Sequence, residues 1–207
     1  LAAPTHTYTA AGTYTVTLTA SNAYCSTTAT KTFTLSGAPT AAFTATPASG
    51  CGPLTVVFNN STTGSASQYS WEFPGGTPGS STEQSPTVVY NTPGNYSVTL
   101  TASNGAGSST ATQQNYIHVF SAPAASFTST TNGLTATFTN TSNSGGMTTP
   151  GAITYLWDFG DNTTSAVENP THTYAADGTY TVTLTTTNSC GSHTATATVV
   201  IVTPPTA

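Results

Sequence analysis

Along Thr13–Thr19 the apolar residues Tyr14, Val16 and Leu18 alternate with threonines, so that every second side chain is apolar. Strict alternation over about seven residues predicts a half-buried strand in an antiparallel sheet. The same pattern returns at Tyr96, Val98 and Leu100 and at Tyr180, Val182 and Leu184. Each copy sits in a longer repeated string: PTHTYTAAGTYTVTLTASN from Pro4, PTVVYNTPGNYSVTLTASN from Pro86 and PTHTYAADGTYTVTLTTTN from Pro170. The chain therefore carries an internal repeat of about 83 residues and reads as a tandem array.

A turn ending in glycine precedes each strand, at Gly12, Gly94 and Gly178. The Gly-x-Tyr arrangement matches a tyrosine corner, in which the hydroxyl returns to nearby backbone. Two of the repeats also share an opening half. AAFTAT near Phe43 corresponds to AASFTS near Phe127, PLTVVFNNS to GLTATFTNTS, and YSWEF at Trp71 to YLWDF at Trp157. About seven short alternating runs per complete repeat, separated by Gly, Pro, Asn and Ser, predict an all-β chain of two-sheet antiparallel sandwiches. Trp71 and Trp157 are expected in the inter-sheet core, with Tyr14, Tyr96 and Tyr180 as further core positions. The predicted division is a C-terminal half-module over 1–37, a complete module over 38–120, and another with its C-terminal linker over 121–207.

Composition narrows the function. Charged residues make up 3% of the chain, with one lysine, no arginine and six acids, whereas ordinary domains carry about 25%. Nucleic-acid binding needs Lys and Arg to displace counterions, so a nucleic-acid partner is not expected. About a quarter of the residues are threonine, a composition suited to strand surfaces and turns. Low net charge leaves little repulsion between copies. No apolar run approaches the roughly 20 residues of a membrane-spanning helix, so no transmembrane segment is expected.

WDFGDN from Trp157, NPTHTY from Asn169, GTYTVTL from Gly178 and the following Asn188 together resemble the PKD (polycystic kidney disease) domain. The resemblance runs from about Ala41 to the end, with the fragment before it. It implies tandem immunoglobulin-like β-sandwiches displayed outside the cell or on its surface, as spacers, adhesion modules or appendages of secreted hydrolases. The middle repeat departs from the pattern, reading WEFPGG where the last reads WDFGDN. The expected role is a non-catalytic structural or adhesive element, a stalk or the subunit of a surface filament. Self-association, continuation of a longer array, or a cell-surface protein or glycan are the expected partners. The competing expectation is an accessory substrate-binding region of a secreted polysaccharidase or protease. An enzymatic role is not expected, because the acids are few and scattered, with no nucleophile and base in sight.

The fragment before Gly37 carries only the second half of the repeat. It reads either as a position within a longer array, which the linker-like strings LSGAPTAAF, VFSAPAASF and IVTPPTA favour, or as a half-sandwich completed by a strand donor in trans. Three cysteines are present, and no complete module holds two. With immunoglobulin topology, Cys51 falls in the first hairpin loop at the C-terminal pole of its module, and Cys190 between the last two strands at the N-terminal pole of the next. An inter-module Cys51–Cys190 disulfide is expected, with Cys25 seeking a partner outside the chain; free buried thiols are the alternative.

Other candidate sites compete with plainer readings. Asp158 and Asp161 offer oxygens to a calcium ion, which some members of the resembled family bind, but Asp and Asn are also ordinary turn formers. No other cofactor is expected. His6 and His172 recur, yet Val88 holds the same place in the middle repeat, which favours a structural role. His118 and His193 stand without a catalytic constellation. Asn59, Asn60, Asn95, Asn140 and Asn162 satisfy N-x-S/T, a motif that a threonine-rich chain meets by chance.

Overall fold

The computed structural model describes residues 3–149 and 152–204. Among these, every regular element is a strand. The alternating string Gly12–Ser21 forms β1, which pairs antiparallel with β2 (Ser26–Leu35), Val16 standing opposite Lys31 and Leu18 opposite Ala29. The middle repeat contains β3 (Phe43–Thr46), β4 (Ser49–Cys51), β5 (Leu54–Asn60), β6 (Gln68–Glu72), β7 (Ser80–Ser81), β8 (Thr87–Tyr90), β9 (Gly94–Asn104) and β10 (Gly107–Phe120). These strands form one sheet in the order β3-β5-β8 and another in the order β4-β10-β9-β6-β7. The last repeat contains β11 (Phe127–Asn132), β12 (Thr135–Asn140), β13 (Thr154–Asp158), β14 (Thr164–Ser165), β15 (Thr171–Thr173), β16 (Gly178–Asn188) and β17 (Gly191–Ile201). Its sheets run β11-β12-β15 and β14-β13-β16-β17, so both complete repeats are two-sheet antiparallel sandwiches apart from the short parallel strand β4.

By spatial clustering the chain forms two compact units. One holds Leu1–Thr46, Val56–Val88 and Ser97–Tyr116; the other holds Pro47–Thr55, Val89–Tyr96 and Ile117–Ala207. The middle repeat thus contributes to both. In the first unit, Phe43, Phe58, Trp71 and Phe73 are buried, with Phe58 and Phe73 ring centroids 4.7 Å apart. In the second, Phe138, Trp157, Phe159, Tyr174, Val182, Leu184, Val199 and Ile201 form one buried cluster. Period 2 explains who is inside: Val182, Leu184 and Thr186 on β16 face inward, and the intervening Thr181, Thr183 and Thr185 face outward.

The two tryptophans are fully buried, and each indole N–H finds a backbone carbonyl, Trp71 at Glu83 (2.9 Å) and Trp157 at Val167 (2.9 Å). A buried N–H left without a partner costs about 1–3 kcal/mol. The three tyrosines after the turn glycines lie at the edge of the core and are only half-buried. Their hydroxyls donate four residues back, Tyr14 to Ala10 (2.7 Å), Tyr96 to Thr92 (2.6 Å) and Tyr180 to Ala176 (3.0 Å). That bond holds the ring tip at the turn, at the margin of the core. Each packs on a second tyrosine, in the pairs Tyr8–Tyr14, Tyr90–Tyr96 and Tyr174–Tyr180.

The first repeat is different. Val16 is 46% exposed and Leu18 68% exposed, whereas Val98, Leu100, Val182 and Leu184 are all at 0%. Burying such side chains contributes about 1.5–3 kcal/mol each. β1 and β2 thus make half a sandwich whose core face is open.

Tyr90 and Tyr174 are both buried, and burial foremost pushes each phenol up to about 12. Tyr174 donates to the Phe159 carbonyl (3.1 Å), but the Tyr90 hydroxyl has no partner among the described residues. Tyr174→Phe is therefore expected to destabilise by about 1 kcal/mol and Tyr90→Phe to be neutral or stabilising, read from denaturant midpoints. Equal losses would contradict this difference.

Candidate functional site: the junctions between repeats

The chain leaves β10 at Phe120 and enters the last repeat through Ser121. β4 runs parallel to the end of β10 and sets Cys51 opposite Phe120. Gly52 N–H donates to the Phe120 carbonyl (2.9 Å), which fixes the cysteine beside the exit of the strand. Cys190 occupies the turn between β16 and β17. The structure joins it to Cys51 as a disulfide, with the two Cα atoms 5.4 Å apart. The bridge therefore links the end of one repeat to the start of the next, across 139 residues of sequence.

Beside the bridge lies Asn188, the last residue of β16 and almost fully buried. Its amide nitrogen donates to the Ser121 carbonyl (2.9 Å) in the linker and to the Ser144 carbonyl (3.0 Å) in the last repeat. Its oxygen accepts from Cys190 N–H (2.8 Å), which shapes the turn that presents the thiol. Ser121 N–H in turn donates to the Gly145 carbonyl (3.0 Å). Gly145 has φ +72°, and a Cβ there would run into the Ser121 carbonyl oxygen. Glycine is required because the linker passes directly against this backbone. Two residues beyond Cys190's turn glycine, His193 Nδ1 accepts from Ala125 N–H (3.1 Å), so this ring is a backbone tether.

The junction before the middle repeat uses the same asparagine. Asn104, last residue of β9, donates to the Gly37 carbonyl (2.8 Å) and the Ser65 carbonyl (2.9 Å), and its oxygen accepts from Ala106 and Gly107 N–H. This junction carries no cysteine. In the first repeat the equivalent Asn22 accepts from Tyr24 N–H (2.9 Å) and Cys25 N–H (3.0 Å), and Cys25 is a free, exposed thiol. The recurrence of Asn22, Asn104 and Asn188 was visible in the repeated string. Its role was not, because nothing in a sequence says which carbonyl a side chain will reach.

The acidic turn of the last repeat forms a second cluster. Asp158 accepts from Gly160 N–H (2.9 Å), and Asp161 accepts from Thr163 N–H (3.1 Å) and Thr163 Oγ1 (2.6 Å). The other oxygen of Asp161 takes His172 Nε2–H at 2.7 Å. The imidazole is stacked on Phe159, centroids 4.1 Å apart, and edge-on to Tyr174. The two carboxylates are thus engaged by turn and ring donors. Among the described residues no group of three His, Cys, Asp or Glu side chains converges as metal ligands. In the middle repeat the corresponding position is the buried Val88, and the turn WEFPGG has no aspartate, so of the two complete repeats one carries both histidine and aspartate and the other neither. His118 Nδ1 pairs with Asn95 Oδ1 (2.8 Å) on the surface, and His6 packs edge-on to Tyr8.

Two outcomes follow from this geometry. Asn188→Ala leaves the Ser121 and Ser144 carbonyls without their buried donor and is expected to lower the stability of the last repeat by about 1–3 kcal/mol in a denaturant melt. Burial works to raise the Asp161 carboxyl, but hydrogen bonds from Thr163 and His172 outweigh it and hold the group below 3.8. A depressed folded-state value contributes stability above the unfolded value that is lost as pH falls through the folded one. As pH falls through the carboxylate range the unaltered chain should therefore lose more stability than Asp161→Asn, read from denaturant midpoints. Parallel acid titrations of the two would contradict this.

Family models of the PKD domain match residues 2–35 and 40–117, and a second PKD-domain model matches residues 121–203. Collagenase ColA of Bacillus cereus is 58% identical over 41 residues, which cover 20% of this chain and 4% of that protein. A microbial collagenase of Vibrio alginolyticus is 52% identical over 50 residues, 24% of this chain and 6% of that protein. The chain thus spans about a twentieth of the length of the curated relatives it matches. The ectodomain of mouse nectin-like molecule 4 superposes with a TM-score of 0.51 at 16% identity, over 83% of this chain and 67% of that one, a likeness of fold alone. With family models matching all three repeats around the same tyrosine corners and, in the complete ones, the same buried tryptophans, the chain belongs to the PKD domain family as a tandem of immunoglobulin-like sandwiches.

Proposed function

We propose that the chain is a non-catalytic, extracellular spacer, a stalk or surface-fibre element whose modules follow the sequence repeat at 1–37, 38–120 and 121–207. The observation that carries this reading is the junction at Ser121. There a buried asparagine and a glycine that admits the linker meet at the Ser121 carbonyl, and a disulfide joins the turn after that asparagine to the strand beside Phe120, which is more fixation than a flexible tether needs. A bridge between two folded repeats restricts bending of the joint, and neutral hydrogen bonds hold it without charges that salt would screen. The disulfide also suits an oxidising compartment outside the cell. Self-association through the threonine-covered faces, into a filament or an adhesive layer, is the lateral counterpart of the same role.

A second reading is favoured by the names of the curated relatives: an accessory region of a secreted protease, presenting a catalytic domain to its substrate. The two readings differ in whether the chain itself retains substrate. Cosedimentation of the oxidised full chain with insoluble collagen fibrils, and separately with cellulose and chitin, is the test. The spacer reading expects the chain to stay in the supernatant at every concentration. Saturable retention on one of these solids would overturn it in favour of the accessory reading.

A further inference from the structure

One bond takes two thirds of the chain off the path of a stretching force. Cys51 ends β4, and Cys190 comes immediately before β17 begins at Gly191. Their bridge closes a loop across 139 of the 207 residues, and every strand from β5 to β16 lies inside that loop. Trp71, Trp157, the Ser121 linker and the Ser144 carbonyl that Asn188 holds lie inside it too. Tension in a cross-linked chain runs along the covalent route that becomes taut first. Here that route goes from β3 through β4 to Cys51, across the two sulfurs, and out along β17. The cysteine Cα atoms are 5.4 Å apart, whereas the route through the loop becomes taut only after the loop has unfolded.

The strands on this route are already drawn out. Phe43–Cys51 is strand apart from a bend at Pro47 and Ala48, and β17 is eleven consecutive strand residues. A strand rises about 3.3 Å per residue, close to the limit of about 3.3–3.6 Å for a fully extended chain, so the route has little length to give. Each part of it is also held sideways. β3 pairs with β5, β4 pairs with the end of β10, His118 N–H donates to the Ala48 carbonyl (2.9 Å), and β17 pairs with β16 from Gly191 to Ile201. We propose that the Cys51–Cys190 bridge makes one tension line of β3, β4 and β17, so that pull along the chain passes both complete repeats without loading their cores or the Ser121 junction. Forced unfolding follows the unfolding rate, and tension raises that rate only in structure lying on its path. A junction of neutral hydrogen bonds is thereby shielded from pull. The inference rests on the spacer reading for the presence of tension, but not for the route that tension takes; retention of the chain on a solid would overturn the spacer reading alone.

The test is single-molecule stretching of the full chain, with the exposed thiol removed as Cys25→Ser. Handles are attached through Ser36→azidophenylalanine and Pro204→azidophenylalanine, both exposed positions, so that the first repeat is not pulled. With the bridge intact, extension is expected to rise smoothly. The same molecules are then reduced in place by a water-soluble phosphine, which takes up oxygen from water as the bridge becomes two thiols. Reduction is expected to add about 480 Å of contour in discrete steps, the 139 residues of the loop at about 3.5 Å each. The double variant Cys51→Ser with Cys190→Ser should reproduce the reduced trace, and reduction in place keeps the comparison on chains that folded with their bridge. A discrete step of about 20 Å or more, roughly six residues of chain, in molecules whose bridge is intact would overturn the proposal, because β3, β4 or β17 would then be peeling away instead of carrying the pull. Traces unchanged by reduction, over forces up to rupture of the handles, would overturn it as well.

Discussion

A strand that is apolar on one side and hydroxylated on the other is stable only when the apolar side is covered, and every other feature of this protein follows from how that cover is arranged. In the last repeat Val182 and Leu184 lie beneath a second sheet in one cluster with Trp157 and Phe138. In the middle repeat Val98 and Leu100 are equally buried. The same residue types in β1 are in water, so a hairpin with full backbone pairing still lacks most of the burial that stabilises its sisters. The aromatic rings do the covering because each buries a large area, and the polar tips of Trp71, Trp157 and Tyr174 reach backbone carbonyls.

The junctions solve a related problem with almost no charge available. With one lysine and six acids in the chain, ion pairs cannot fix one repeat against the next. Neutral groups do so instead. One asparagine amide reaches the linker on one side and its own repeat on the other, while its oxygen organises the turn that carries the cysteine. The Asp161–His172 pair is the exception in kind, and it braces the core edge of a single repeat.

Much of this was legible in the sequence. Period-2 alternation located β1, β9 and β16, the repeat gave the tandem, and turn glycines followed by tyrosine marked the corners. The tyrosines proved edge residues because the hydroxyl bond to the residue four back keeps them at the turn. What stayed hidden were relations across the fold. Tyr90 and Tyr174, six residues before the corners, pair with them through packing that no local pattern announces. His172 read as structural because Val88 replaces it, and its ring does pack on Phe159; its bond to Asp161 became visible only when a turn and a strand 11 residues apart were brought together. Asn188 stood in the recognised motif without a role, since its acceptor, Ser121, lies 67 residues away.

The central claim is that the Ser121 junction is fixed. Residual dipolar couplings of backbone amides in the oxidised full chain, compared across residues 47–55, 89–96 and 117–204, test it most directly. The account predicts that a single alignment tensor fits the segments before and after Ser121 together. Two tensors of different magnitude in the oxidised chain would mean that the joint swings freely, and would contradict it.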